Sequence, residues 1–67
     1  MHQARATFDK QQQRLAIIEN GKETLAYSVV CGLAECDAVL EMFGMVRLSD
    51  WAAVVDGELW AASVGYM

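Results

Sequence analysis

At 67 residues and without a proline, the chain is long enough for one domain, residues 1–67, and no more. It is 55% hydrophobic, more apolar material than so small a volume hides, and so part of it is expected at the surface. Its formal net charge of −4 excludes the basic footprint of a direct nucleic-acid binder.

No apolar run approaches the roughly 18 residues of a membrane helix, and Met1-His2-Gln3-Ala4-Arg5 lacks the apolar stretch of a signal peptide. The expectation is therefore a soluble, cytoplasmic protein that makes no membrane contact, with Cys31 and Cys36 as free thiols. The charge is divided unevenly. Residues 1–31 set Arg5, Lys10, Arg14 and Lys22 against Asp9, Glu19 and Glu23, a net of +1. Residues 32–67 set Arg47 alone against Glu35, Asp37, Glu41, Asp50, Asp56 and Glu58, a net of −5.

In chain order, Arg5-Ala6-Thr7-Phe8-Asp9 reads as a first strand. A turn over Lys10 to Gln13 then sets Phe8 opposite Leu15 and Asp9 opposite Arg14. A helix over residues 4–18 is the rival, since Gln, Arg, Lys and Ala favour one, but the apolar positions make no helical stripe. Asn20-Gly21 between Leu15-Ala16-Ile17-Ile18 and Thr24 to Val30 is a hairpin signal, because both turn residues tolerate positive φ. A plain two-residue loop would mix the faces. A three-residue loop with a glycine bulge puts Leu15, Ile17, Leu25, Tyr27, Val29 and Cys31 on one side, and is preferred.

Gly32 ends this meander. From Leu33 to about Met45 the period becomes helical, with Leu33, Cys36, Val39, Leu40 and Phe43 on one side and Asp37 and Glu41 opposite. Gly44 offers a stop. Asp56-Gly57, between Trp51 to Val55 and Leu59 to Val64, signals a closing hairpin; a short helix over residues 50–55 capped by Ser49 is the alternative. The predicted order is β-β-β-α-β-β, an α+β fold with an antiparallel sheet and one helix on one face.

Candidate chemistry is sparse. His2 has no neighbour to orient it as a base. His2, Cys31 and Cys36 make at most three soft ligands where a structural zinc wants four, and both cysteines fall on core-facing positions. The five glycines stand singly at turns and element ends, not in a phosphate loop. Asp37 and Glu41, at i,i+4, read as a solvated helix face or an acidic recognition patch, not an acid–base pair, which would need burial. No catalytic residue, metal ligand or cofactor is therefore expected.

The closing hairpin is the least ordinary segment. Trp51, Ala53, Val55, Trp60, Ala62 and Val64 form one of its faces, and Ala52, Val54, Leu59 and Ala61 the other. Both are apolar, whereas a sheet with one wet face alternates apolar and polar. One face can lie on the helix. The other must be covered by the rest of the chain or by a partner, with Trp60 and Tyr66 as aromatic anchors.

Small size, the Glu19-Asn20-Gly21-Lys22 hairpin, a single acidic helix over residues 33–44 and the Asp56-Gly57 hairpin belong together in one loose class. The chain resembles the very small, acidic, enzyme-free proteins of phages and mobile elements, of which anti-CRISPR proteins are an example. That resemblance implies an inhibitor of a host protein or complex that handles nucleic acid, acting by occupying a protein surface with carboxylates. The residues expected to bind the partner are Glu35, Asp37, Glu41, Asp56, Glu58, Trp60 and Tyr66. The alternative is a homo-oligomeric structural or adaptor module, a dimer for instance, pairing through its C-terminal hairpin.

Overall fold

The computed structural model describes residues 4–28 and 32–66. Six strands form one antiparallel sheet and one helix packs on one side of it, an α+β fold. His2, Val29 and Cys31 lie outside the described residues. No helix among those described is long and apolar enough to cross a membrane.

Strand β1, Ala4–Asp9, pairs with β2, Arg14–Glu19, and sets Phe8 opposite Leu15 and Asp9 opposite Arg14. The strand reading of this segment holds and the helix does not form. Asp9 closes the connection, its Oδ1 accepting the backbone N–H of Gln11 at 3.0 Å and of Gln12 at 3.2 Å.

Between β2 and β3, Lys22–Ser28, the turn is the two-residue kind, with Asn20 at φ 54° and Gly21 at φ 77°. Glu19 pairs with Lys22, yet Ile17 pairs with Leu25 and Leu15 with Tyr27, because Thr24 is an extra residue in the strand. Its hydroxyl donates to the Ile17 carbonyl at 3.4 Å. The bulge thus sits beyond the turn and not in it, and the facing of Leu15, Ile17, Leu25 and Tyr27 is the one the apolar pattern demands.

The helix α1, Leu33–Met42, stops three residues short of the expected Met45. Gly44 at φ 74° turns the chain, and Met45–Arg47 becomes a short strand, β4, which sequence reasoning did not separate from the helix. Cys36, Val39 and Leu40 are buried, Leu33 packs partly against the core, and Phe43 is left at the rim. There Phe43 meets Tyr27 edge to face at 6.1 Å.

Strand β5, Ala52–Val55, and β6, Leu59–Tyr66, form the closing hairpin. The sheet order is β3-β2-β1-β6-β4, with β5 also on β6. Met45 to Val55 is therefore one interrupted edge strand along β6. Leu48 N–H donates to the Ser63 carbonyl at 2.7 Å, and Ser49 Oγ accepts from Ser63 N–H at 2.9 Å, which stitches the interruption. Ser49 thus caps no helix. Val55 pairs with Leu59 around a three-residue loop, with Val54 as the extra residue. Val55 therefore shares the Leu59 face rather than the Trp60 face on which alternation placed it.

Phe8, Leu15, Ile17, Cys36, Leu40 and Val64 are the largest fully buried side chains, and all lie between the sheet and α1. Each full-sized aliphatic or aromatic group stabilises by about 1.5–3 kcal/mol on burial. Trp60, opposite Phe8, and Trp51 pack against this cluster. The inner face of the sheet is thereby filled.

Candidate functional site

Asp37, on the second turn of α1, faces β4 rather than open water. Arg47 Nε donates to its Oδ1 at 2.7 Å and Nη2 to its Oδ2 at 3.2 Å, a two-pronged pairing that holds the guanidinium flat against the carboxylate. Trp51 Nε1–H donates to the same Oδ1 at 3.0 Å, and Arg47 lies over the Trp51 ring at 5.9 Å. Arg47 Nη1 also donates to the Ser49 carbonyl at 3.1 Å and stands 3.9 Å from Asp50. One carboxylate thus fastens the helix to the interrupted edge strand. Arg47, the only cation of residues 32–67, is neutralised in the process.

Beside this fastening an open groove of about 690 Å³ runs between the second half of α1, β4 and residues 48–50. Leu40 and Met45 form its apolar floor, Val46 and Leu48 its exposed apolar side, and Glu41 and Asp50 its acidic rim. Met42 and Leu48, 71% and 68% exposed, are the most exposed large apolar side chains of the described residues. Among the described strands β4 bonds only to β6, so its outer backbone groups are those of a sheet edge.

The residues expected to bind a partner do not form one patch. Glu35, Asp37 and Glu41 stand on α1, with Asp37 occupied by Arg47 and Trp51. Asp56 and Glu58 lie at the tip of the closing hairpin, where Glu58 accepts from Gln11 Nε2 at 3.3 Å and its carbonyl from Lys10 N–H at 2.8 Å. Trp60 is tilted against Phe8 at 6.0 Å as part of the core. Tyr66 is exposed and its hydroxyl donates to Glu19, which raises the pKa of the phenol. Sequence reasoning missed Val46, Leu48 and Asp50. The one usable signal was Arg47 itself, since a lone cation in an acidic half is bound to find a carboxylate.

Cys36 is wholly buried, and burial foremost, then the charges of Asp37 and Glu35, pushes its thiol up to about 11. It stays protonated at neutral pH and is a core group, not a nucleophile. Among the described residues no three His, Cys, Asp or Glu side chains are grouped as metal ligands.

The sheet's other face carries no element over it among the described residues. Thr7, Ala16, Ala26, Ala52 and Ala61 form a row of small residues across five strands. On the β2–β3 side this row is bridged. Arg14 and Glu23 sit roughly 13 Å apart along the strands, on either side of Ala16, and meet at 2.7 Å. Their side chains therefore pass over Ala16, which is 5% exposed although no element covers it.

Comparison with protein-family models, with curated proteins and with solved structures gave no match.

Proposed function

We propose that this protein works by binding: it takes a basic and apolar segment of a partner protein into the groove beside β4 and keeps that segment from its own ligands. The observation that carries the reading is the coincidence of exposed Val46 and Leu48 with the acidic rim of Glu41 and Asp50. Arg47, already held by Asp37, offers a cationic partner no competing charge. The open edge of β4 supplies backbone donors and acceptors for an added strand, the apolar floor supplies affinity, and the carboxylates select Lys or Arg.

Proteins that handle nucleic acids present such basic surfaces to phosphates. Occupying one of them is how an acidic inhibitor of the anti-CRISPR type, working in the cytoplasm, would act. In this reading Glu41 and Asp50 carry the recognition. Asp37 holds the surface in shape, and Trp60 supports it from the core.

Fluorescence anisotropy with a labelled peptide of alternating Lys and Val tests the reading, with alternating Glu and Val as control. The Lys–Val peptide should bind, and more weakly as salt rises. Leu48→Asp, and Glu41→Lys with Asp50→Lys, should each weaken it at least tenfold with unchanged circular dichroism. Equal binding of the two peptides, or indifference to both variants, overturns it.

A further inference from the structure

We propose that two copies of this chain associate face to face through the uncovered side of the sheet, with Arg5 of each copy against Asp9 of the other. It uses residues other than those lining the groove, although Val46 and Leu48 stand on the same side of the sheet. The surface is the outer face of β1, β6 and β5: Thr7, Ala61 and Ala52 lie level at its centre, Ser63 stands beside Arg5 at one end, and Leu59 and Val55 stand beside Asp9 at the other, with Ala61 recessed among them. Its β6 and β5 side is apolar apart from Ser63, and no described element covers it. The far side of the same face is already occupied by the Arg14–Glu23 pair, which leaves β1, β6 and β5 as the open part.

What selects a second copy is the charge order on β1. Arg5, Thr7 and Asp9 point to the same side, two residues apart, with Thr7 in the middle. A two-fold axis lying in the interface, across the strands at the level of Thr7 and Ala61, lays each strand antiparallel over its own copy. Arg5 then falls on Asp9 of the other chain and Asp9 on its Arg5, while Thr7 and Ala52 meet themselves. An axis along the strands would set Arg5 on Arg5 and Asp9 on Asp9, so the charge order picks one arrangement of the two. The Arg5 side chain is exposed and makes no hydrogen bond or ion pair among the described residues. Asp9 gives Oδ1 to the turn amides of Gln11 and Gln12 and lies across from Arg14, whose charge it also feels; Oδ2 is the oxygen that would meet the guanidinium of the second copy.

The rest of the molecule permits the contact. The acidic side chains of α1, Glu35, Asp37 and Glu41, lie on the opposite side of the sheet, so their charge is kept out of an interface in which Arg5 and Asp9 balance. The small residues at its centre let the sheets approach at least as closely as the usual 10 Å or so. The footprint, roughly 250 Å² of sheet per copy at ordinary strand spacing, is well below the roughly 800 Å² per partner of a standard interface. Association should therefore be weak and depend on concentration.

Sedimentation velocity between about 1 and 200 μM, a span chosen to bracket micromolar affinities, is the test. The wild-type chain should pass from monomer to dimer across it. Arg5→Glu and Asp9→Lys should each be monomeric throughout, because each sets like charges face to face. An equimolar mixture of the two variants should dimerise again, since the reversed charges are complementary only between them; loss of folding cannot produce that rescue. If Asp9→Lys fails to fold by circular dichroism for want of its turn cap, Thr7→Lys replaces it, and should be monomeric because each lysine meets its own copy. A wild-type chain that stays monomeric, an Arg5→Glu or Thr7→Lys chain that still dimerises, or two folded charge variants that fail to re-associate overturns the proposal.

Discussion

Replacing Asp37 by alanine takes the acceptor away from three donors at once: Arg47 Nε, Arg47 Nη2 and Trp51 Nε1. The Asp37 and Arg47 side chains are 42% and 30% exposed, so water screens the pair and its worth is discounted to about 1 kcal/mol. The indole hydrogen bond, to a charged acceptor at a half-buried site, adds about 1 kcal/mol. Asp37→Ala should therefore lose about 2 kcal/mol, which for a domain of this size lowers Tm by about 8–16 °C. Asp37→Asn keeps an acceptor for the indole and should lose about half as much. Glu41→Ala, one turn further along the same helix, should stay within about 0.5 kcal/mol because the side chain is exposed. Thermal and urea unfolding followed by far-ultraviolet circular dichroism measure all three, with tryptophan fluorescence reporting Trp51. Equal stabilities of Asp37→Ala and Glu41→Ala would refute the reasoning, since only Asp37 has partners to lose.

Gly21→Ala should lose about 1 kcal/mol, because φ at this position is 77° and a Cβ is strained there even though nothing crowds it; an unchanged urea midpoint would show that the turn relaxes. The Cys36 thiol, pushed up to about 11 in the folded chain, keeps a proton that the unfolded chain releases above about pH 9. Its contribution is therefore whole below that pH and is lost as pH rises toward about 11, by at most about 3 kcal/mol. Cys36→Val should flatten this part of the stability profile, and parallel profiles for the two proteins at pH 8 and 10.5 would contradict the assignment.

The kinds of element and most of their pairing were legible in local pattern. Phe8 opposite Leu15 followed from a four-residue turn, and the facing of Leu15, Ile17, Leu25 and Tyr27 followed from the rule that a strand buries one parity. The helix was legible in its period, and the two-sided apolar character of the closing hairpin pointed to the sheet face that no described element covers. Local pattern could not place the bulges at Thr24 and Val54, because an extra residue leaves the apolar alternation readable on either side of it. Nor could it show that Met45–Arg47 leaves the helix to pair with Val64 to Tyr66, a choice made by residues nearly twenty positions away. Which groups the acidic residues and Trp60 touch depends on long-range packing that no local pattern encodes. Asp37 and Glu41 look alike on a helical wheel, but only Asp37 lies within reach of Arg47 and Trp51, and that reach depends on where β4 docks against α1.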